Sequence, residues 1–285
     1  MFRSEKIKVA PGWEKHLRSR GRDSVEAIYR MVDGEVITRS SSTEVRRVEL
    51  SEGRVEQTVF VKKYWAISAR QLWSGALRGT FLGRSKVRRE FENLDRLRAW
   101  GLNAPSPVAY GEERRAGWLV RSFLISESVP DPLPLDVFVR DVLPRQLETQ
   151  RRVARRELIQ RLADYTRRMH ECRFVHHDYF WRNILLSDSS PERFWLIDAH
   201  KGRRQISSTQ SRGRAKDLAT LDAPAPHFFR RTERLRFFHC YAGHVKLTGK
   251  DKKFIRRVLR LAAPLREQQL RRVLESHRLQ TQRQG

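Results

Sequence analysis

Hydrophobic positions in the first third of the chain follow two periods. In "RDSVEAIYRM" (22–31), Val25, Ile28 and Met31 share one helical face behind Asp23 or Ser24 as a cap, which predicts a helix opening the fold. The period then drops to two. "GEVITR" (34–39), "EVRRVEL" (44–50) and "VEQTVFVKKYW" (55–65) alternate apolar and polar residues and are separated by "SSST" and "SEGR", turn-forming runs that predict an antiparallel meander. After an insert, "AISARQLWSGALRGTFLGR", helical spacing returns over 85–100, with Val87, Phe91, Leu94 and Leu97 on one face and Ser85 as N-cap. Two further strands are expected around "VAYGEE" and "GWLVRSFLIS".

The segment "ESVPDPLPL" (127–135) carries three prolines in a short acidic run, and the expected lobe boundary lies there, giving lobes 1–126 and 127–285. Beyond it the pattern is helical: "LDVFVRDVL", "RRELIQRLADYTRRMHEC", "TERLRFFHCYA" and one long stretch, "KDKKFIRRVLRLAAPLREQQLRRVLES". The tail "RLQTQRQG" is expected to be disordered. A sheet-rich first part and a helix-rich second part make this an α+β chain of two unequal lobes: a small antiparallel-sheet lobe with one main helix, and a helical lobe.

Composition narrows the setting. The chain has 285 residues and is 39% hydrophobic, enough for real cores. It lacks an 18-residue apolar run, and its N-terminus lacks a secretory-type apolar segment, so the reading is a cytoplasmic protein. Cys172 and Cys240 are too far apart in sequence to suggest a thiolate metal site. The 59 Lys and Arg against 33 Asp and Glu leave a net charge of +26, which favours polyanionic partners: nucleic acid, an anionic membrane surface or a phosphorylated glycolipid. No RNP, zinc-finger or helix-turn-helix pattern supports nucleic acid.

The polar stretch inside "FVHHDYFWRNILL" (174–186) sits between two apolar runs that read as strands. The order His176, His177, Asp178, four residues, Asn183 matches the spacing of a kinase catalytic loop. Phosphoryl transfer needs a carboxylate to take the proton of the attacking hydroxyl and an amide oxygen to hold Mg2+ on the nucleotide phosphates, and Asp178 and Asn183 are the residue types for both. Fifteen residues on, "FWLIDAHKG" runs a buried strand into Asp198, where kinases carry a metal-binding aspartate. Upstream, "TVFVKKYW" places Lys62 near a strand end, with Lys63 on the opposite face. The next helix carries Glu90 to position that lysine, whereas Glu92 points about 200° around the helix. His170, His176, His177 and His200 fit no usual metal-ligand spacing; the paired histidines of the loop read as bracing residues.

Strand lysine, helix glutamate, D-x-x-x-x-N loop and strand-borne aspartate, in that order, resemble the lipopolysaccharide kinase family (Kdo/WaaP type), which has the protein-kinase-like fold. The segments "KVRREFENLDRLRAWGLNAPSPVAYGE", "VHHDYFWRNILL" and "LIDAHKGRR" carry the resemblance, which spans about residues 35–245. It implies an ATP- and Mg2+-dependent kinase acting on a heptose or Kdo hydroxyl of the lipopolysaccharide core, or of a lipid A-linked sugar, at the anionic inner face of the membrane. Asp178 would be the base, Asn183 and Asp198 the metal ligands, and Lys62 with Glu90 the phosphate-holding pair. The adenine would lie near Ser126–Val129, with Glu127 among the nucleotide-binding residues, and Asp217 in "AKDLATL" would brace the catalytic loop. Two features depart from kinases generally. No G-x-G-x-x-G covers the phosphates, leaving Ser41 and Ser42 in the first turn as phosphate-capping candidates. His177 replaces an arginine that often pairs with a phosphorylated loop, so "RRQISSTQSRGR" is not expected to be such a switch. A kinase of this fold with a protein or small-metabolite acceptor is the competing reading, and a non-catalytic basic binding protein is another.

Overall fold

The computed structural model describes residues 3–52, 55–66, 83–187 and 190–281, and the chain forms two compact units: residues 1–98 with 104–129, and residues 99–103 with 130–285. The first unit is built on a six-stranded antiparallel sheet. Its strands are β1 (Arg3–Val9), β2 (Glu35–Arg39), β3 (Thr43–Glu52), β4 (Val55–Trp65), β5 (Pro107–Arg115) and β6 (Trp118–Glu127), in the order β1-β5-β6-β4-β3-β2. Most of the insert after β4 lies outside the described residues.

Period-two alternation sorts the two faces of this sheet. Val59 and Val61 of β4 and Phe123 and Ile125 of β6 pack with Val25, Ile28 and Met31, residues of and beside a short helix, α2 (Val25–Arg30), and with Leu17 of α1 (Glu14–Ser19). Ser24 caps α2, its hydroxyl accepting from the amide of Ala27 at 3.0 Å. On the other face Leu124 and Tyr110 meet Val87 and Phe91 of α3 (Lys86–Ala99), whose first turn is capped by Ser85 through the amide of Arg88 (3.1 Å). Val87, Phe91, Leu94 and Leu97 are all 3% exposed or less, and each contributes about 1.5–3 kcal/mol by burial.

The helix at 25–30 does not open the fold: β1 and α1 precede it, and β1 pairs with β5 from Arg3↔Arg115 to Val9↔Ala109. "RSEKIKV" is nearly all exposed, because it is a charged edge strand that lays little on the core and so leaves no hydrophobic pattern to read.

The second unit is mostly helical. After β7 (Pro132–Pro134) come α4 (Leu135–Val137), which continues into a π turn at Phe138–Val142, and α5 (Glu148–Glu171). Then follow β8 (Phe174–Val175), β9 (Ile184–Ser187), β10 (Ser190–Leu196), β11 (Arg203–Arg204), α6 (Ser207–Asp222), α7 (Arg231–Ala242), α8 (Gly249–Ala262) and α9 (Arg266–Thr281). A small sheet has the order β10-β9-β7, and β11 pairs with β8. The core gathers Ala163 of α5, Ala215, Leu218 and Ala219 of α6, Phe238 and Tyr241 of α7, and Val258 and Ala262 of α8. The single long helix expected over 250–276 is two, because Pro264 removes an amide and the chain turns through a 3-10 segment at Ala263–Leu265. α9 runs on to Thr281, through the first half of the tail expected to be disordered, and residues 282–285 lie outside the described residues.

Candidate active site

In the first unit, alternation along β4 sends Lys62 to the α3 side of the sheet and Lys63 to the opposite side. Lys62 Nζ lies 2.7 Å from Glu90 Oε1; the glutamate side chain is 1% exposed and the lysine 19%. Glu90 Oε2 is buried with no hydrogen-bond partner among the described residues, so this carboxylate depends on the Lys62 ammonium for compensation. Glu92 is turned to the surface among Arg84, Arg88 and Arg96. Lys63 is buried, donating to the carbonyl of Met31 (2.8 Å) and pairing with Glu44 (3.2 Å). Burial lowers the Lys63 pKa against the opposing pull of Glu44. It is a structural lysine of the α2 face.

Ser41 and Ser42 lie at the tip of the β2–β3 hairpin, Ser41 exposed and Ser42 half-buried. The turn is closed by Ser40 N on Thr43 O (2.8 Å), and the carbonyl of Ser42 accepts from the amide of Trp65 (3.1 Å). Glu127 ends β6. Its amide donates to Ser106 O (2.9 Å) and that of Ser128 to Thr58 O (2.8 Å), so both amides are committed within the sheet.

In the second unit, β8 and β9 frame the 174–186 stretch as the apolar flanks imply. Asp178 is 6% exposed and Asn183 4%. Asn183 Nδ2 donates to the carbonyl of Asp178 (2.8 Å), which also accepts from the amide of Phe180 (2.8 Å), tying the loop to itself. That bond uses the amide nitrogen of Asn183 and leaves Oδ1 as its acceptor. Beyond β10, Ile197 N donates to Asn183 O (3.1 Å), and Asp198 follows in a left-handed conformation (φ 60°, ψ 40°). This turn starts the 3-10 segment Ala199–Lys201 and brings His200 Nδ1 to 3.2 Å from Asp198 Oδ1. A Cβ on Gly202 would fall 2.2 Å from the Phe174 ring, so only glycine lets this turn close against β8.

Asp217 of α6 braces the loop, as the resemblance implies. Its carboxylate, 1% exposed, accepts from the amides of His176 (2.7 Å) and His177 (2.8 Å) and from His170 Nε2 (3.3 Å). His170 Nδ1 in turn meets the hydroxyl of Tyr241 (2.8 Å), which accepts from Arg214 Nε (2.7 Å). The chain Arg214–Tyr241–His170–Asp217 has a consistent donor at every step when His170 is neutral with its proton on Nε2, and burial lowers its pKa accordingly. His176 is fully buried, also with a lowered pKa from burial, and Nε2 donates to Ile197 O (3.2 Å). His177, at φ +62°, accepts on Nε2 from the side-chain amide of Gln205 (3.0 Å). The loop histidines are thus held by the protein, as the bracing reading expects.

The sequence reading missed Lys201. Its Nζ lies 2.9 Å from Asp178 Oδ1, with the lysine side chain 52% exposed and the aspartate 8%. One feature of the sequence points to it afterwards: "DAHKG" ends in a glycine that lets a tight turn swing the third residue after Asp198 back.

Among these groups, Asn183 Oδ1 and the Asp198 carboxylate are hard oxygen donors held close to the backbone of one loop and one turn, a donor set that fits Mg2+ rather than a softer metal.

The family model described as lipopolysaccharide kinase (Kdo/WaaP) family matches residues 32–253. A 3-deoxy-D-manno-octulosonic acid kinase of Vibrio cholerae is 33% identical over 140 residues, 48% of this chain and 54% of that protein. A lipopolysaccharide core heptose(I) kinase WaaP of Pseudomonas aeruginosa is 29% identical over 231 residues, covering 78% of this chain and 81% of that one. In structure, the chain matches a WaaP solved in complex with acyl carrier protein at a TM-score of 0.62 and 23% identity, over 95% of this chain and 98% of that one, which establishes the protein-kinase-like fold. With a family model covering most of its length and with its catalytic-loop spacing intact, this chain belongs to the lipopolysaccharide kinase (Kdo/WaaP) family.

Proposed function

We propose that this protein transfers the γ-phosphoryl group of ATP to a heptose or Kdo hydroxyl of the lipopolysaccharide inner core. The observation that carries the reading is the 176–183 loop, pinned by two hydrogen bonds from its backbone amides to buried Asp217, with the Asp178 carboxylate held by a lysine. Asp178 acts as the base. The acceptor hydroxyl gives its proton to the Asp178 carboxylate as its oxygen forms the new bond to the γ-phosphorus, the bond to the β-phosphate oxygen breaks, and ADP leaves.

Asn183 Oδ1 and Asp198 would hold Mg2+, which supplies charge neutralisation on the phosphates when bound. Lys62, positioned by Glu90, takes the α- and β-phosphates, and the hairpin tip at Ser41 and Ser42 offers hydroxyls to the phosphate end of the nucleotide. Because the amides of Glu127 and Ser128 are committed, the adenine reads carbonyls or the chain from Val129 onward. Lys201 does two things: it holds the Asp178 carboxylate in place before the acceptor binds, and its ammonium then meets the negative charge of the transferring phosphoryl group.

The acceptor is part of a membrane glycolipid, so the protein works at an anionic inner-membrane surface. No described helix is long and apolar enough to cross a membrane. The test is transfer of labelled γ-phosphate from ATP to purified core glycolipid. Wild type labels the glycolipid and Asp178→Asn does not; full labelling by Asp178→Asn removes the assignment of the base, and labelling of protein in place of glycolipid supports the competing acceptor.

A further inference from the structure

The chain carries a net charge of +26, but its cations are not used alike. Along α3 and α5 several arginines are matched by carboxylates on the same helix, such as Arg88 with Glu92, Arg152 with Glu148 and Arg168 with Asp164. α8 is different. Its exposed positions are Lys250, Lys252, Lys253, Arg256, Arg257 and Arg260, together with the N-terminal Gly249, so every exposed side chain is a cation. At 100° per residue these six span an arc of roughly 160°, while Phe254, Ile255, Val258, Leu261 and Ala262 occupy the opposite arc and pack in the core of the unit.

The one acid of the helix, Asp251, is engaged at the N-terminus. Its carboxylate accepts from the amide and hydroxyl of Thr248 in a capping box, and those bonds lower its pKa. Among the described residues none of the six cations makes an ion pair, a side-chain hydrogen bond or a ring contact. Lys252 with Arg256, Lys253 with Arg257, and Arg256 with Arg260 are like-charge pairs at i,i+4, a spacing that weakens a helix. The helix therefore keeps a concentration of charge that works against its own stability and that an external anion would relieve. At its entry, Val245 is 99% exposed beside Lys246.

We propose that α8 is the surface by which this protein docks on a bilayer, its six cations against anionic lipid headgroups and Val245 dipping into the interface. Six cations on one face of a straight helix make a flat, single-sign comb about 15 Å long, which suits a planar array of headgroups. No aromatic side chain lies on that face to stack nucleobases. The inference rests on the proposed function in that a membrane-borne acceptor calls for such a surface.

The experiment uses the full chain and sedimentation with two kinds of vesicle, pure phosphatidylcholine and phosphatidylcholine mixed with phosphatidylglycerol. It compares wild type with a variant carrying Lys252→Gln, Lys253→Gln, Arg256→Gln and Arg257→Gln, chosen because glutamine keeps the helix and removes the charge. At roughly fivefold in partition per cation at the surface, the variant binds the anionic vesicles about a hundredfold or more weakly. Wild-type binding falls on raising the salt, and both proteins phosphorylate a deacylated, water-soluble acceptor at equal rates.

Equal binding of the two proteins to anionic vesicles overturns the proposal, as does wild-type binding that ignores lipid charge. So does wild-type binding to an acidic protein in place of vesicles. Should the variant melt well below wild type, Lys250→Gln with Lys246→Gln and Val245→Ser, all outside the packed face, serve the same comparison. A protein that binds vesicles through α8 but never phosphorylates core glycolipid would refute the proposed function while leaving the docking surface intact.

Discussion

Removing Lys201 separates a structural from a catalytic role, because the two predict effects of different size. In Lys201→Met the apolar stem is kept and the ammonium lost. The ammonium sits 2.9 Å from Asp178 Oδ1, but the lysine side chain is half exposed, so solvent screens the pair. Its contribution to stability is on the order of 0.5–1 kcal/mol, and the melting temperature falls by about 1–4 °C. A cation that meets the developing charge of a transferring phosphoryl group is worth far more, about 2.7–4 kcal/mol by comparison with single donors removed from other active sites, or 100- to 1,000-fold in kcat. The assay is a thermal melt beside steady-state kinetics with ATP and core glycolipid varied separately. The expected result is a small melting shift, a kcat at least 100-fold lower, KM values within a few-fold, and partial recovery in Lys201→Arg. A kcat within a few-fold of wild type refutes the catalytic part. A melting drop of 10 °C or more refutes the claim that the pair matters little to stability.

Other perturbations follow from the same structure. Asp217→Ala leaves two backbone amides and His170 Nε2 without their acceptor. At about 1.5–3 kcal/mol per bond to a charged group the two amide bonds alone account for roughly 3–6 kcal/mol, read as a fall in the denaturation midpoint, and an unchanged midpoint contradicts the bracing role. Glu90→Gln removes the charge opposite Lys62 and raises KM for ATP several-fold while leaving KM for the acceptor unchanged, a split visible in kinetics. Gly202→Ala forces a methyl into the Phe174 ring and costs about 1–3 kcal/mol in chemical denaturation. Burial lowers the pKa values of His170 and His176 in the folded chain, so each binds its proton more readily when unfolded. Stability from each is complete above the unfolded value near 6.5 and falls with pH below it, by at most about 1.4 kcal/mol per pH unit; His170→Gln flattens that slope in urea titrations between pH 7 and 5.

The parts of the fold that were legible are those that bury a periodic face. Val59 and Val61 against Lys62 and Lys63 gave both the strand and the side from which each lysine points, and the spacing of Val87, Phe91 and Leu94 singled out Glu90 over Glu92. The edge strand β1 was not legible because almost none of it is buried, and the break at Pro264 was read through because the apolar spacing resumes on both sides of it. In the site, residues close in sequence were found, whereas Lys201 was not: its approach to Asp178 depends on one left-handed residue, Asp198, and on the glycine that lets the turn close. The α8 comb was visible as arginine-rich sequence, but that its cations have no partner among the described residues is a property of packing.

The central claim is that this chain adds phosphate to the lipopolysaccharide inner core with Asp178 as base. Mass spectrometry of lipopolysaccharide from cells with the protein, without it, and with Asp178→Asn in its place tests that directly. One core phosphate on a heptose or Kdo residue present only with the wild-type protein is the predicted result. A core carrying the same phosphates in all three would contradict it.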